Sequence, residues 1–216
     1  MTDALEQALR KGLGDLGLAL EDTQVAKLLA YQALMAKWTR VYNLTAVRDP
    51  QEMLTHHLLD SLAVVNPLRQ QLAGRTSLLD VGSGAGLPGV VLAITCPDLT
   101  VTCVDTVAKK AAFIQQVAVT LGLPTLKGVH ARVETLSGPY EVISARAFSS
   151  LPDLVSGSRQ ALAAQGFWLA MKGKHPQDEL ASLPPEVEVF HVEPLVVPGL
   201  SAERCIVWMR WVAQDS

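Results

Sequence analysis

Ser77-Leu78-Leu79-Asp80-Val81-Gly82-Ser83-Gly84-Ala85-Gly86-Leu87-Pro88-Gly89 is the stretch that decides the fold of this chain. Its apolar opening reads as a buried strand. Glycines then stand at alternate positions, and the chain restarts at Pro88 as a helix running through residues 90–94. Proline suits the first helical position, where its missing N–H costs nothing. Strand, glycine turn and helix start together form a corner at which a nucleotide-like ligand meets backbone and unpaired N–H groups. A tight turn with no ligand is the alternative reading. Three alternate glycines are unfavourable backbone unless something must come close.

The spacing separates two ligand classes. A dinucleotide fingerprint asks for Gly-x-Gly-x-x-Gly with a pyrophosphate on the helix start. Here the third glycine, Gly86, comes one residue early, and Leu87 stands in its place. An acid, Asp80, precedes Gly82 and Gly84. Asp-x-Gly-x-Gly-x-Gly resembles motif I of the class I S-adenosylmethionine (SAM) methyltransferases. SAM carries an ammonium and a sulfonium and no phosphate, so a carboxylate near the strand end suits it better than a phosphate cradle.

The whole chain sets bounds on these readings. Its 216 residues hold one substantial domain and a small extension, and 49% hydrophobic residues are ample for a core. Apolar runs stop well short of the roughly 18 residues a membrane span needs. The start, Met1-Thr2-Asp3-Ala4-Leu5-Glu6, is acidic and lacks a signal-peptide pattern. Cys96, Cys103 and Cys205 form no Cys-x-x-Cys pair and read as reduced thiols of a cytoplasmic protein. No histidine stands near them at ligand spacing, so no metal is expected. A net charge of −3 gives no global attraction to nucleic acid. An RNA substrate would need a local basic patch or an assembled protein–RNA particle.

Residues 1–66 read as a helical cap. An amphipathic pattern covers residues 3–13, and a stronger one opens at Glu21-Asp22, with Val25, Leu28, Leu29, Leu34, Met35 and Trp38 on one face. A third helix begins at Pro50 and runs through His56, His57 and Asp60 to about Val65. Lys37, Arg40 and Arg48 surround Trp38 and Tyr42, an interleaving that suits RNA phosphates and bases. The alternative is a solvated helix end with Trp38 in the core, and Asp49 and Glu52 nearly cancel the charge. His56, His57 and Asp60 read either as a polar lid over a ligand cleft or as core and surface residues.

Residues 67–216 alternate strand and helix. Strands are expected at 77–81, 100–104, 125–130, 141–145, 166–171, 187–192 and 204–212, with helices near 109–121 and 151–163. Alternation of this kind argues an α/β, Rossmann-like, mostly parallel sheet with helices on both faces. Seven strands, the last two joined without a long helix, match the methyltransferase sheet with its antiparallel last strand.

Ligands of such sheets sit beyond the carboxyl ends of the strands, which selects residues. Asp105 ends the second strand, where an acid accepts from ribose hydroxyls; a helix cap is its other reading. Val133 and Glu134 follow the third strand and could hold an adenine ring, with Arg132 and Glu134 an ordinary surface pair as the alternative. Arg146 follows the fourth, where the methyl group would be transferred; it suits a SAM carboxylate or a guanine edge, or else an ion pair with Asp80 or Asp105. Lys172 and Lys174 end the fifth at the cleft rim, and with Arg204 they suit an RNA backbone, although such residues on a strand edge also serve solubility.

Missing motifs narrow the chemistry. The Asn/Asp-Pro-Pro-aromatic loop of exocyclic-amine methylation is replaced by Ser144-Ala145-Arg146-Ala147-Phe148, and no Pro-Cys nucleophile stands at the expected place. Guanine N7 has an in-plane lone pair and no proton to remove, so a site without a general base is compatible with it. Residues 38–49, 56–62 and 80–89, with Ala145-Arg146-Ala147-Phe148, residues 169–173 and Glu203-Arg204, resemble the bacterial 16S rRNA guanine-N7 methyltransferase family, also called glucose-inhibited division protein B. The resemblance spans nearly the whole chain. It implies transfer of the SAM methyl group to N7 of guanine 527 in the 530 loop of 16S rRNA, giving 7-methylguanosine and S-adenosylhomocysteine. The substrate would be the small ribosomal subunit or a precursor, and the enzyme a cytoplasmic monomer. By motif match, cofactor contacts fall on Gly82, Leu87, Val133, Glu134 and Arg146. Two other readings stand: a SAM-binding RNA or ribosome-assembly module without turnover, and a small-molecule methyltransferase.

Overall fold

A computed structural model describes residues 2–212 of the chain. Residue 1 and residues 213–216, the outer ends of the two expected regions, lie outside the described residues. One seven-stranded sheet is built from β1 (Ser77–Val81), β2 (Thr100–Asp105), β3 (Leu126–His130), β4 (Tyr140–Arg146), β5 (Leu162–Lys172), β6 (Val187–Leu195) and β7 (Arg204–Trp211). The strand order is β3-β2-β1-β4-β5-β7-β6. All neighbours are parallel except β7, which runs antiparallel to both β5 and β6. The expected sheet with its reversed last strand is therefore present.

Chemistry of the strands explains their places. β1, β2 and β4 are buried along most of their length because helices cover both faces. α6 (Gly89–Thr95) is buried at every position, and α7 (Ala108–Thr120) presents Phe113, Ile114 and Val117 inward. α8 (Leu151–Ser158) lies over the other face, where Trp168 donates its indole N–H to Ser158 Oγ at 2.9 Å. Edge strand β6 carries Glu188 and Glu193, which blunt it against further pairing.

The N-terminal region is helical as expected, with α1 (Thr2–Asp15) and α2 (Asp22–Tyr42). Glu21 and Gln24 form the capping box of α2, and Asn43, at φ 51°, ends it in a left-handed turn. The third helix is irregular. α3 (Pro50–Met53) widens into a π-helical stretch at Leu54–Leu59 and narrows again at α4 (Asp60–Leu62). α5 (Val65–Leu72) was not expected from the sequence, and the boundary drawn between residues 66 and 67 falls inside it. That boundary separates no cores. Leu28, Tyr31, Leu58 and Leu62 of the cap share one apolar cluster with Val90 and Ile94 of α6 and Phe113 of α7. Cap and sheet-side helices pack on this shared core, because none of these helices buries its apolar face alone.

Candidate functional site

Chain direction across the sheet reverses between β1 and β4, which leaves an opening beyond their carboxyl ends. The glycine corner fills one side of it. Gly82, Gly84 and Gly86 have φ values of 64°, 58° and 91°, a left-handed region that only glycine enters without strain. Pro88 is the residue before α6 rather than its first position; its carbonyl accepts from Leu92.

Three buried side chains from three elements hold this corner. Asp105, at the end of β2, accepts from the Gly84 N–H at 3.0 Å and from the Val107 N–H at 2.9 Å. Asp80, in β1, accepts from the Gly89 N–H at 2.9 Å and from Ser144 Oγ at 2.8 Å. Tyr31, in α2, donates to the Ala85 carbonyl at 2.6 Å. Burial raises the Asp80 carboxyl to about 7, against the opposing pull of the Ser144 and Gly89 donors and the Arg146 charge. Asp80 is fully buried and lines none of the cavities described below. It sits under the corner as an anchor, not on the surface that meets a ligand.

Three cavities with shared lining residues occupy the opening. The first, about 350 Å³, is lined by Gly82, Asp105, Val107, Val133, Glu134 and Phe148 among others. Asp105 forms its polar wall, and Val133 and Phe148 its apolar ones. A second, about 310 Å³, lies between the cap and β4, β5 and β7, with His56, His57, Asp60, Arg146, Lys172 and Arg204 in its wall. The third, about 270 Å³, runs along the glycines from Gly82 to Leu87 and reaches Thr45, His57 and Arg146. Ala147 lines all three. It is a non-glycine residue at φ 55°, a strained conformation of the kind that clusters at functional sites.

Arg146 finds neither Asp80 nor Asp105. Its Nη1 donates to Asp60 Oδ2 at 2.7 Å and to the His56 carbonyl at 2.9 Å, both on the irregular third helix. Arg204 Nε donates to the other oxygen of the same carboxylate at 2.8 Å. His57 shares a hydrogen bond with Thr45 Oγ1 at 2.7 Å, while its Nδ1 is buried without a partner. Desolvation, then the nearby Arg146 charge, lower its pKa, which keeps the ring neutral.

The other expected residues fall in two groups. Lys172 is at the second cavity but donates to Glu179 Oε2 at 2.7 Å, so its charge is already matched. Lys174 is exposed beyond it. Lys37, Arg40 and Arg48 are exposed on the cap, and Arg48 donates to Asn43 Oδ1. None of these four lines the three cavities. Trp38 packs on Phe113, ring centroids 5.3 Å apart, so it belongs to the core, and Tyr42 beside it is partly exposed. Gly84 and Leu87 line the glycine cavity, and Gly86 turns the chain beneath it. Sequence reasoning missed Tyr31 and Thr45 and had no means of pairing Asp60 with two arginines.

Among the described residues no group of histidines, cysteines and acids could hold a metal ion, and no helix is long and apolar enough to cross a membrane. All three cysteines are buried and free.

Comparison with known proteins gives this geometry its setting. The family model for rRNA small subunit methyltransferase G, GidB, matches residues 24–207. "Ribosomal RNA small subunit methyltransferase G" of Albidiferax ferrireducens is 67% identical over 217 residues, which cover 95% of this chain and 97% of that protein. The protein of the same name from Acidovorax ebreus is 65% identical over 219 residues, 97% of each chain. Among solved structures, a TehB-like SAM-dependent methyltransferase from Corynebacterium glutamicum superposes with a TM-score of 0.54 at 15% identity, over 84% of this chain and 98% of that one. The sheet is thus that of the SAM-dependent methyltransferases. With a matching model over most of its length and relatives this similar, the chain belongs to the rRNA small subunit methyltransferase G family, GidB.

Proposed function

We propose that the chain transfers a methyl group from SAM to N7 of a guanine in 16S rRNA, leaving S-adenosylhomocysteine. The observation that carries this reading is the junction at Ala147, where a cofactor-sized cavity meets a second, cationic cavity. Shape and chemistry of the first cavity fit SAM. Asp105 stands where ribose hydroxyls would donate, Val133 and Glu134 border a slot for an adenine, and the glycine cavity leads on to Arg146. The bound cofactor supplies an electrophilic methyl on a sulfonium.

What the residues supply is alignment. Guanine N7 offers an in-plane lone pair and releases no proton before attack, so the rate depends on setting nucleophile, methyl and sulfur in line. Ala147, which lines all three cavities, and Arg146, which lines the second and third, form the wall across which that line would run. A donor such as Arg146 is suited to the guanine O6 edge. Arg204 and Lys172, the latter paired with Glu179, border the cationic cavity, and the exposed Lys37, Arg40, Arg48 and Lys174 offer an RNA backbone cations outside it. The finer assignments rest on family resemblance: guanine 527 of the 530 loop, a ribosomal particle as substrate, a cytoplasmic setting and a monomeric enzyme.

The test is nucleoside mass spectrometry after incubation with SAM and small subunits from a strain lacking the modification. New 7-methylguanosine is the expected product. SAM binding without any methylated nucleoside, on particles or on naked 16S rRNA, would support a binding module instead. Methylation of a small molecule alone would support the remaining reading.

A further inference from the structure

One buried carboxylate carries two guanidiniums at the wall of the second cavity. Asp60 is 4% exposed at its side chain, and its two oxygens are taken separately by Arg146 Nη1 and Arg204 Nε. A single guanidinium would neutralise this carboxylate. The second leaves one positive charge in excess, and it is not turned to bulk solvent: the Arg146 and Arg204 side chains are 19% and 23% exposed. Lys172 adds nothing to the balance, because Glu179 matches it. Holding an unmatched cation half-buried is costly. The fold maintains it at the mouth of a cavity of about 310 Å³.

The uncommitted donors show what the arrangement accepts. Arg146 spends Nη1 on Asp60 and His56 and keeps Nη2 and Nε. Arg204 spends Nε on Asp60 and Nη1 on the Glu203 carbonyl and keeps Nη2. Two guanidiniums held by one carboxylate at the wall of one cavity keep N–H groups in reserve there, and guanidinium forks are the side chains that grip a tetrahedral oxyanion. Arg146 borders the glycine cavity as well, whereas Arg204 borders only the second one. The two arginines therefore share only the second cavity, and neither lines the first.

We propose that Asp60 sets Arg146 and Arg204 as a clamp for one backbone phosphate of the RNA strand, beside the guanine to be methylated. The clamp rests on the RNA-methyltransferase reading above. Asp60 is the positioning residue, reached from the cap, and the arginines touch the phosphate. The π-helical turn at Leu54–Leu59 serves this arrangement, since it carries the His56 carbonyl that fixes Arg146 and leads directly into Asp60.

Asp60→Asn tests the clamp by the sign of its effect. Simple charge reasoning says that removing a carboxylate strengthens binding of an anion. Positioning says the reverse: the guanidiniums lose their shared anchor, and RNA affinity falls roughly tenfold or more, a larger loss than that of SAM affinity, which feels Arg146 alone at the glycine cavity. Arg204→Gln, at the partly exposed partner, keeps the protein testable if Asp60→Asn does not fold. It should weaken RNA binding and lower the slope of log affinity against log salt by about one, and Arg204→Lys should not restore the affinity. Millimolar inorganic phosphate should compete with RNA for the wild type and less for either variant. Unchanged or tighter RNA binding in Asp60→Asn, or a loss of SAM affinity in place of RNA affinity, would overturn the clamp. A wild-type protein that neither binds nor methylates rRNA would instead overturn the reading beneath it.

Discussion

The Tyr31 hydroxyl donates to the Ala85 carbonyl at 2.6 Å, joining the cap helix to the middle of the glycine corner. Tyr31 is wholly buried, and burial drives its hydroxyl pKa well above the ordinary value, so it stays a neutral donor. Tyr31→Phe keeps the ring against Phe113 and strands the carbonyl. The expected cost is about 1–3 kcal/mol of stability, with a several-fold rise in the SAM dissociation constant. Denaturant unfolding and calorimetry measure the two. An unchanged SAM affinity would mean that the corner keeps its shape without the cap.

Asp105 combines the two roles read for it. It caps the turn at Val107 and holds the Gly84 N–H, and it still faces the first cavity. A carboxylate has lone pairs for ribose hydroxyls beyond those two bonds. Asp105→Ala should weaken SAM binding roughly tenfold or more by calorimetry, and Asp105→Asn, which keeps one acceptor oxygen, by less. Equal losses would mean that only the backbone of the corner matters.

Asp80 makes stability depend on pH. Its carboxyl sits at about 7 in the folded chain and has an ordinary value of 3.8. The folded state thus holds a proton that the unfolded chain has released. Its contribution is complete below about pH 4 and is lost as pH rises toward 7. Asp80→Asn fits the same place, accepting from Gly89 and donating to Ser144 Oγ. The fall in Tm between about pH 5 and pH 8 should be smaller in this variant than in the wild type. The same fall in both would place the titrating group elsewhere.

Gly86 and Gly74 have similar positive φ values, 91° and 86°, but different surroundings. A Cβ on Gly86 would lie 2.4 Å from Val90 Cγ2, and a Cβ on Gly74 would meet nothing within 4 Å. Gly74→Ala therefore measures backbone strain alone, about 1 kcal/mol. Gly86→Ala adds a clash in the core and should cost about 2–4 kcal/mol. Denaturant midpoints compare them, and equal costs would mean that the corner relaxes freely.

Sequence and structure agree where a residue's neighbours in the chain determine its place. β1 and β2 are buried along nearly their whole length, so the run itself marks the strand, and the three glycines mark the corner because a positive φ favours glycine. α5 lies where the reading ended the third helix near Val65, and Pro67 falls within its first turn, where no N–H is needed. α9 (Gln177–Ala181) lies in an acidic stretch with no buried residue to give it a period. The ion pairs of the site were out of reach for another reason. Asp60 meets Arg146 and Arg204 across 86 and 144 positions of chain, and only the packing of the cap on the sheet brings them together. Basic residues were visible as a set, but their partners were not, so Lys172 looked free when Glu179 matches it, and Arg204 looked free when it shares the Asp60 carboxylate with Arg146.

The account turns on a methyl group crossing from the cofactor cavity to the cationic one at Ala147. A crystal structure of the chain with SAM measures this directly. The account predicts the ribose at Asp105, the adenine between Val133, Glu134 and Phe148, and the sulfonium methyl facing the cavity of Asp60, Arg146 and Arg204. A methyl group turned toward any other wall, or SAM seated in the cationic cavity itself, would contradict it.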